Sequence, residues 1–170
     1  PVIGWLSGIV VEREPTGLIL DVNGVGYEIF IAAELLGARV ASGEELALWI
    51  HSHATSESPT PMLYGFITSE QRKIFRLLLK VKGIGPRSAQ TVVARLGGDG
   101  VAEAVRSADI AKLTTVPGVG KKTAQQIILD LAGQLSAIET AEPQMSGQLA
   151  TVASALTNLG FRRPQVERAL

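Results

Sequence analysis

Residues 82–96 read KGIGPRSAQTVVARL, and residues 117–131 read PGVGKKTAQQIILDL. Each copy runs glycine, apolar residue, glycine, then at least one basic residue and a segment of helical period. Few folds satisfy that order. Gly83 and Gly118 permit the left-handed backbone that ends a helix, and the next helix starts almost at once. Each copy therefore predicts a tight helical hairpin, with Ile84 or Val119 tucked between its two helices. Gly85 and Gly120 lack side chains, so an outside group can approach the backbone there. The following helix aims its unpaired N–H groups, and the positive end of its dipole, at that same place. Lys82, Arg87 and Ser88 in the first copy, and Lys121, Lys122 and Thr123 in the second, add cations and hydroxyls. The combination suits a phosphate oxygen.

Other glycine-rich phosphate motifs fail on context. A dinucleotide fingerprint needs a strand before its glycines, and a helical segment precedes Gly83. GVGKKT has a lysine where a phosphate-binding loop needs Ser or Thr after its Lys. Glycines that only pack helices would explain one copy, but not two copies with matching basic positions. Charge supports this division. The net charge is zero overall. Residues 1–66 hold 2 basic and 8 acidic residues, residues 67–137 hold 11 and 5, and residues 138–170 hold 3 of each. A polyanion partner is expected for the middle segment alone. With no cysteine the chain has no disulfide scaffold, and no apolar run or leader suggests a membrane. A cytoplasmic location is expected.

Residues 1–66 read as short strands: VIGWLSGIVVE, GLILDV, YEIFIA, ELALWIH and MLYGF. Asn23-Gly24 is a hairpin signal, and Gly4, Gly8 and Gly17 suit bulges or corners. Five strands in so few residues imply a closed OB-type barrel. Its acidity opposes a DNA-contact role and favours one in assembly. His51 and His53 share a strand face, but no third ligand lies near, so they read as two solvent-facing histidines at a strand end rather than a metal site. From residue 67 the period becomes helical. Thr68 and Gln71 form a capping box, helices follow near Arg87, near Val101 behind Asp99, and behind Asp109, and the last runs from about Lys122 to Leu135.

The paired glycine hairpins resemble the tandem helix-hairpin-helix motif, a reader of DNA backbone rather than of bases. The order VIGWLSG, GVGYEIFI, LYGF, KGIGPRSA and VPGVGKKTAQQIILDL, over nearly the whole chain, resembles the RuvA family, Holliday-junction recognition subunits of the bacterial branch-migration complex. That resemblance implies a multidomain α+β protein: an OB-type barrel at 1–66, a tandem helix-hairpin-helix domain at 67–137, a flexible linker at 138–147, and an incomplete UBA-like helical module at 148–170. It also implies a homotetramer, alone or as two facing tetramers forming an octamer, that holds a four-way junction open and recruits a RuvB-type hexameric ATPase. No cofactor, metal, small-molecule substrate or catalytic residue is expected.

Two features qualify the likeness. The family carries two adjacent carboxylates in the loop before LYGF, where this chain has Ser58 and Pro59, leaving Glu57 as the candidate for the junction-centre acidic role or as a solvated loop residue. In the tail, Leu159 and Phe161 either shape the ATPase-docking surface or close the small module's core. Two other function classes are a structure-selective nuclease, for which the carboxylates are too scattered, and a helical protein-interaction scaffold.

Overall fold

A computed structural model of the chain describes residues 3–37, 40–54 and 60–141, with side chains described through Gly133. Five strands form where the alternating apolar pattern places them: β1 (Trp5–Glu14), β2 (Gly17–Val22), β3 (Val25–Phe30), β4 (Glu45–His53) and β5 (Met62–Phe66). They close into a barrel in the order β1-β2-β3-β5-β4, with β1 pairing β4 and only β3–β5 parallel. The two-residue turn between Val22 and Val25 takes positive φ at Asn23 (53°) and Gly24 (85°). The Gly24 N–H donates to Asp21 Oδ1 at 2.7 Å, which locks the primed turn that a twisted hairpin needs. Gly8 and Gly17 are required by crowding: a Cβ at either would collide with the carbonyl of Asp21 or of Ile29. A register shift between Val10 and Glu12 helps β1 curl.

Val10, Leu18, Leu20, Ile29, Leu48 and Ile50 fill the barrel and are fully buried. One short helix, α1 (Ala33–Leu36), lies between β3 and β4 and places Leu36 against that core. It has only four residues and no side-chain cap, so neither periodicity nor a capping signal marks it.

The expected capping box opens α2 (Ser69–Leu78): Thr68 Oγ1 accepts from the Gln71 N–H at 3.2 Å, and the Gln71 side chain accepts from the Thr68 N–H. Phe75 packs its ring 4.8 Å from Phe66, 5.4 Å from Tyr64 and 5.3 Å from His51, centroid to centroid. Arg72, from the same helix, stacks its guanidinium 4.6 Å over Trp49 and donates to the carbonyls of Gly4 (2.6 Å) and Ile50 (3.3 Å). Aromatic packing, and one guanidinium nitrogen shared between two carbonyls, thus hold α2 to the barrel.

Beyond it, α3 (Pro86–Arg106) is broken by Gly97, at φ 66° and ψ 177°. The break corrects the expected boundary, since Gly97 ends the first segment and Asp99 lies inside the second rather than capping it. At α4 (Ile110–Thr114) the expected cap is present, with Asp109 Oδ1 accepting from Lys112 N–H at 2.8 Å. The last helix, α5 (Lys121–Ala141), runs past Leu135 and into the segment read as linker. Residues 1–132, barrel and hairpins together, form one compact unit, and a second begins at Gly133. Glu57, Leu159 and Phe161 lie outside the described residues.

His51 and His53 do not face solvent as expected: both are half-buried against Phe75 and Tyr64. His51 is part of the joint between barrel and α2. Its Nδ1 accepts from Arg76 Nε at 3.2 Å, which requires a neutral ring. Burial first, then the charges of Arg76 and His53, lowers its pKa from 6.5 to about 4. Below pH 6.5 the unfolded chain takes up a proton that the folded ring refuses until about pH 4. Stability contributed by this joint is therefore complete above pH 6.5 and is lost as pH falls towards 4. Urea midpoints are expected to fall over that interval in the wild type and to fall less in His51→Gln; equal slopes would refute the assignment.

Candidate nucleic-acid interface

The two glycine hairpins have the same backbone. Gly83 (φ 89°) and Gly118 (φ 83°) both take the left-handed conformation. In each turn the apolar residue's N–H returns to the valine three residues earlier: Ile84 to Val81 at 3.2 Å, and Val119 to Val116 at 3.1 Å. In each, the next helix makes its first four-residue bond to the second glycine, Ala89 N–H to Gly85 O at 2.9 Å and Ala124 N–H to Gly120 O at 2.8 Å. Burial repeats as well. Val81, Ile84 and Ala89 are buried, as are Val116, Val119 and Ala124, while Lys82, Gly83 and Gly85, like Pro117, Gly118 and Gly120, are exposed. The sequence repeat is thus a structural repeat, with Ile84 and Val119 turned inward as expected.

Space beside the second glycines is open. Nothing within 4 Å would meet a Cβ on Gly85 or Gly120. Gly85 is the N-cap of α3 and offers no side-chain cap, with Pro86 following it. The N–H groups of Arg87 and Ser88 precede the first helical bond and face an end that only an outside acceptor can satisfy. The two turns also adjoin one another: a Cβ on Gly118 would lie 3.7 Å from the Ser88 hydroxyl. One continuous surface therefore carries both helix starts.

Basic side chains divide into two groups. Arg72 and Arg76 are spent on the barrel joint, Lys112 pairs with Glu103 at 2.5 Å, and Arg95 lies 4.0 Å from Glu34. The Lys112 hydrogen bond in turn holds the Glu103 carboxyl below its ordinary value. Among the described residues no ion pair holds Lys82, Arg87, Lys121 or Lys122, and all four are exposed around the glycine turns. Ser88 and Thr123 are half-buried in the first turns of α3 and α5. All the phosphate-binding candidates of the sequence lie on these two turns, which meet at Gly118 and Ser88. Arg87 and Tyr64 line one cleft at the barrel end; burial raises the Tyr64 hydroxyl pKa and the Arg87 charge opposes that rise. His51 and His53 stand with ring centroids 6.0 Å apart, and among the described residues no group of three His, Asp or Glu is placed to hold a metal ion.

Sequence reasoning missed Gln90. Its side chain is buried and its Nε2 donates to the Phe30 carbonyl at 2.9 Å. The only sequence signal is its place in the repeat, where its counterpart Gln125 is exposed.

A closed five-stranded barrel followed by tandem helix-hairpin-helix turns places the chain among DNA-binding proteins of the OB-barrel class. Residues 3–65 match the family described as RuvA N terminal domain, and residues 75–132 match the SAM-like helix-hairpin-helix tandem. The chain is 37% identical over 176 residues to a protein of Pelobacter propionicus, covering 99% of the chain and 87% of that relative. It is 36% identical over 182 residues to one of Pseudomonas fluorescens (99% and 89%) and 37% over 169 residues to one of Bordetella pertussis (99% and 88%). Each relative is named Holliday junction branch migration complex subunit RuvA. The chain belongs to the RuvA family.

Opposite substitutions separate the roles of the two glycines. Gly83→Ala forces a Cβ into positive φ and is expected to lower stability by about 1–2 kcal/mol. Gly85→Ser supplies the missing N-cap and is expected to raise stability by about 0.3 kcal/mol. Chemical denaturation checks both, and a loss of stability in Gly85→Ser would contradict an open, uncapped helix start.

Proposed function

We propose that the chain binds four-way DNA junctions without regard to sequence, as a homotetramer whose paired hairpins each grip one arm. The observation that carries this reading is the pair of equivalent glycine turns, adjacent on one surface with unpaired helix starts and exposed cations. In this account Lys82, Gly83, Gly85, Arg87 and Ser88 hold one phosphate cluster, and Gly118, Gly120, Lys121, Lys122 and Thr123 hold another. Backbone contacts of this kind position a protein on a duplex and carry no base information.

Assembly supplies the preference for four arms. Four identical grips suit four similar arms, and closed rotational symmetry is the ordinary state of homo-oligomers. Trp5, Ile9 and Val11 expose an apolar stripe along the outer side of β1, with Trp5 and Val11 more than half exposed, which favours the barrel as the assembly face. Acidic barrels gathered at the centre repel phosphates and discourage a continuous duplex from crossing the face; Glu57 is the candidate carboxylate of the junction-centre loop. The chain acts without catalysing a reaction, in the cytoplasm. It holds the junction open and recruits a RuvB-type hexameric ATPase through a tail surface that includes Leu159 and Phe161.

Competition gel shifts test the reading. A labelled four-way junction is expected to stay bound when unlabelled linear duplex of equal total length is added in excess. Equal competition by the duplex would remove the junction reading while leaving DNA binding intact. Lys121→Glu with Lys122→Glu is expected to abolish retention. With about 4–6 phosphates neutralised per chain, wild-type affinity should fall steeply and linearly on a log-log salt plot. Gly85→Ser, more stable than wild type, should bind DNA more weakly because its own hydroxyl occupies the amides.

A further inference from the structure

The repeat is symmetrical at the phosphate end and asymmetrical behind it. Gln90 and Gln125 occupy the same place in the two copies, directly after Ala89 and Ala124. Gln125 is exposed, whereas Gln90 is 7% exposed and donates its amide hydrogen to the carbonyl of Phe30, the last residue of β3. Sixty positions of sequence separate donor and acceptor.

This bond and the Arg72 joint are made by different helices of the first hairpin. Arg72 ties α2 to the barrel through Gly4 and Ile50, and Gln90 ties α3 to it through Phe30. A hairpin held only along α2 can swing about that helix; a second tie on α3 fixes the angle. On the α3 side the other tie is the half-exposed pair of Arg95 with Glu34 of α1, at 4.0 Å. A cleft of about 240 Å³ opens there between the barrel end and α3, lined in part by Phe30, Tyr64, Arg87 and Gln90. Arg87 stands one helical turn before Gln90 and lines the same cleft. Any swing that breaks the Gln90 bond therefore moves Arg87 and the open amides with it.

We propose that Gln90 is a positioning residue for junction selectivity: its buried amide sets the angle between hairpins and barrel, and acts on DNA through Arg87 and the glycine turn. This rests on the four-armed reading above. One duplex can be gripped by a hairpin at any angle, because the protein can turn with it. Four arms meeting at one centre must be gripped by four copies whose angles are set in advance, and a grip that misses its arm forfeits the effective concentration of a linked site.

The test compares Gln90→Leu with Gln125→Leu in the full chain, measuring junction affinity, duplex affinity and melting temperature for each. Gln90→Leu fills the same space and leaves the Phe30 carbonyl without its donor. It is expected to weaken junction binding at least about tenfold while duplex binding stays unchanged, and Gln125→Leu is expected to change neither. If Gln90→Leu does not fold, Gln90→Glu, which keeps the shape and presents an acceptor to the carbonyl, replaces it and is read in the same way. A folded variant that keeps its junction preference overturns the role of Gln90 and leaves the junction reading standing. Equal loss on junction and duplex also overturns it, since that is the mark of a general structural residue. Absence of any junction preference in the wild type removes the junction reading first, and this inference with it.

Discussion

A left-handed glycine is what the functional half of the molecule depends on. The sequence places the ends of the preceding helices at Gly83 and Gly118, but α2 and α4 have already ended at Leu78 and Thr114. Each glycine lies in the turn that follows, which passes one apolar residue and enters the next helix three positions later. Only a residue without a Cβ takes that backbone cheaply. The consequence is chemical as well as geometrical. The new helix begins before any side chain can cap it, so its first N–H groups stay unpaired, and the second glycine keeps the approach to them clear. The inward Ile84 and Val119 pay for this exposure by burying apolar surface in the angle of the turn.

The barrel contributes direction. Alone, a helical hairpin presents its amides to any phosphate from any angle. Here α2 is stacked through Phe75 on the ring cluster of Tyr64, Phe66 and His51, Arg72 reaches the Gly4 and Ile50 carbonyls and stacks on Trp49, and α3 is tied at Gln90. Buried polar contacts of this type specify one relative orientation more than they add stability. A segment with eleven basic residues does not present eleven cations, because Arg72 and Arg76 are directed at the barrel and Arg95 and Lys112 at exposed carboxylates of the chain itself.

Local features were the legible ones. The five strands, the Asn23-Gly24 turn, the Thr68 capping box, the Asp109 cap and both glycine turns depend on neighbours within a few residues, and each stands where the pattern puts it. The phosphate-facing set was legible for the same reason, since glycine, cation and helix start are contiguous. What escaped depends on distance in the chain. Gln90 reads as an ordinary helix residue until Phe30 is beside it, and Arg72 reads as part of a basic face until Trp49 and the Gly4 carbonyl take it up. The break in α3 was misplaced for a different reason. Asp99 is a good cap by type, but Gly97 two residues earlier takes positive φ and has already ended the segment.

The central claim is that two sets of bare peptide amides receive DNA phosphates together. Amide NMR on isotope-labelled protein measures it directly, by following the N–H signals of Gly85, Arg87, Gly120 and Lys122 as junction DNA is added. The account requires all four to move along one binding curve, in the direction of a new hydrogen bond. Signals that stay fixed while DNA binds, or movement confined to one turn, would contradict it.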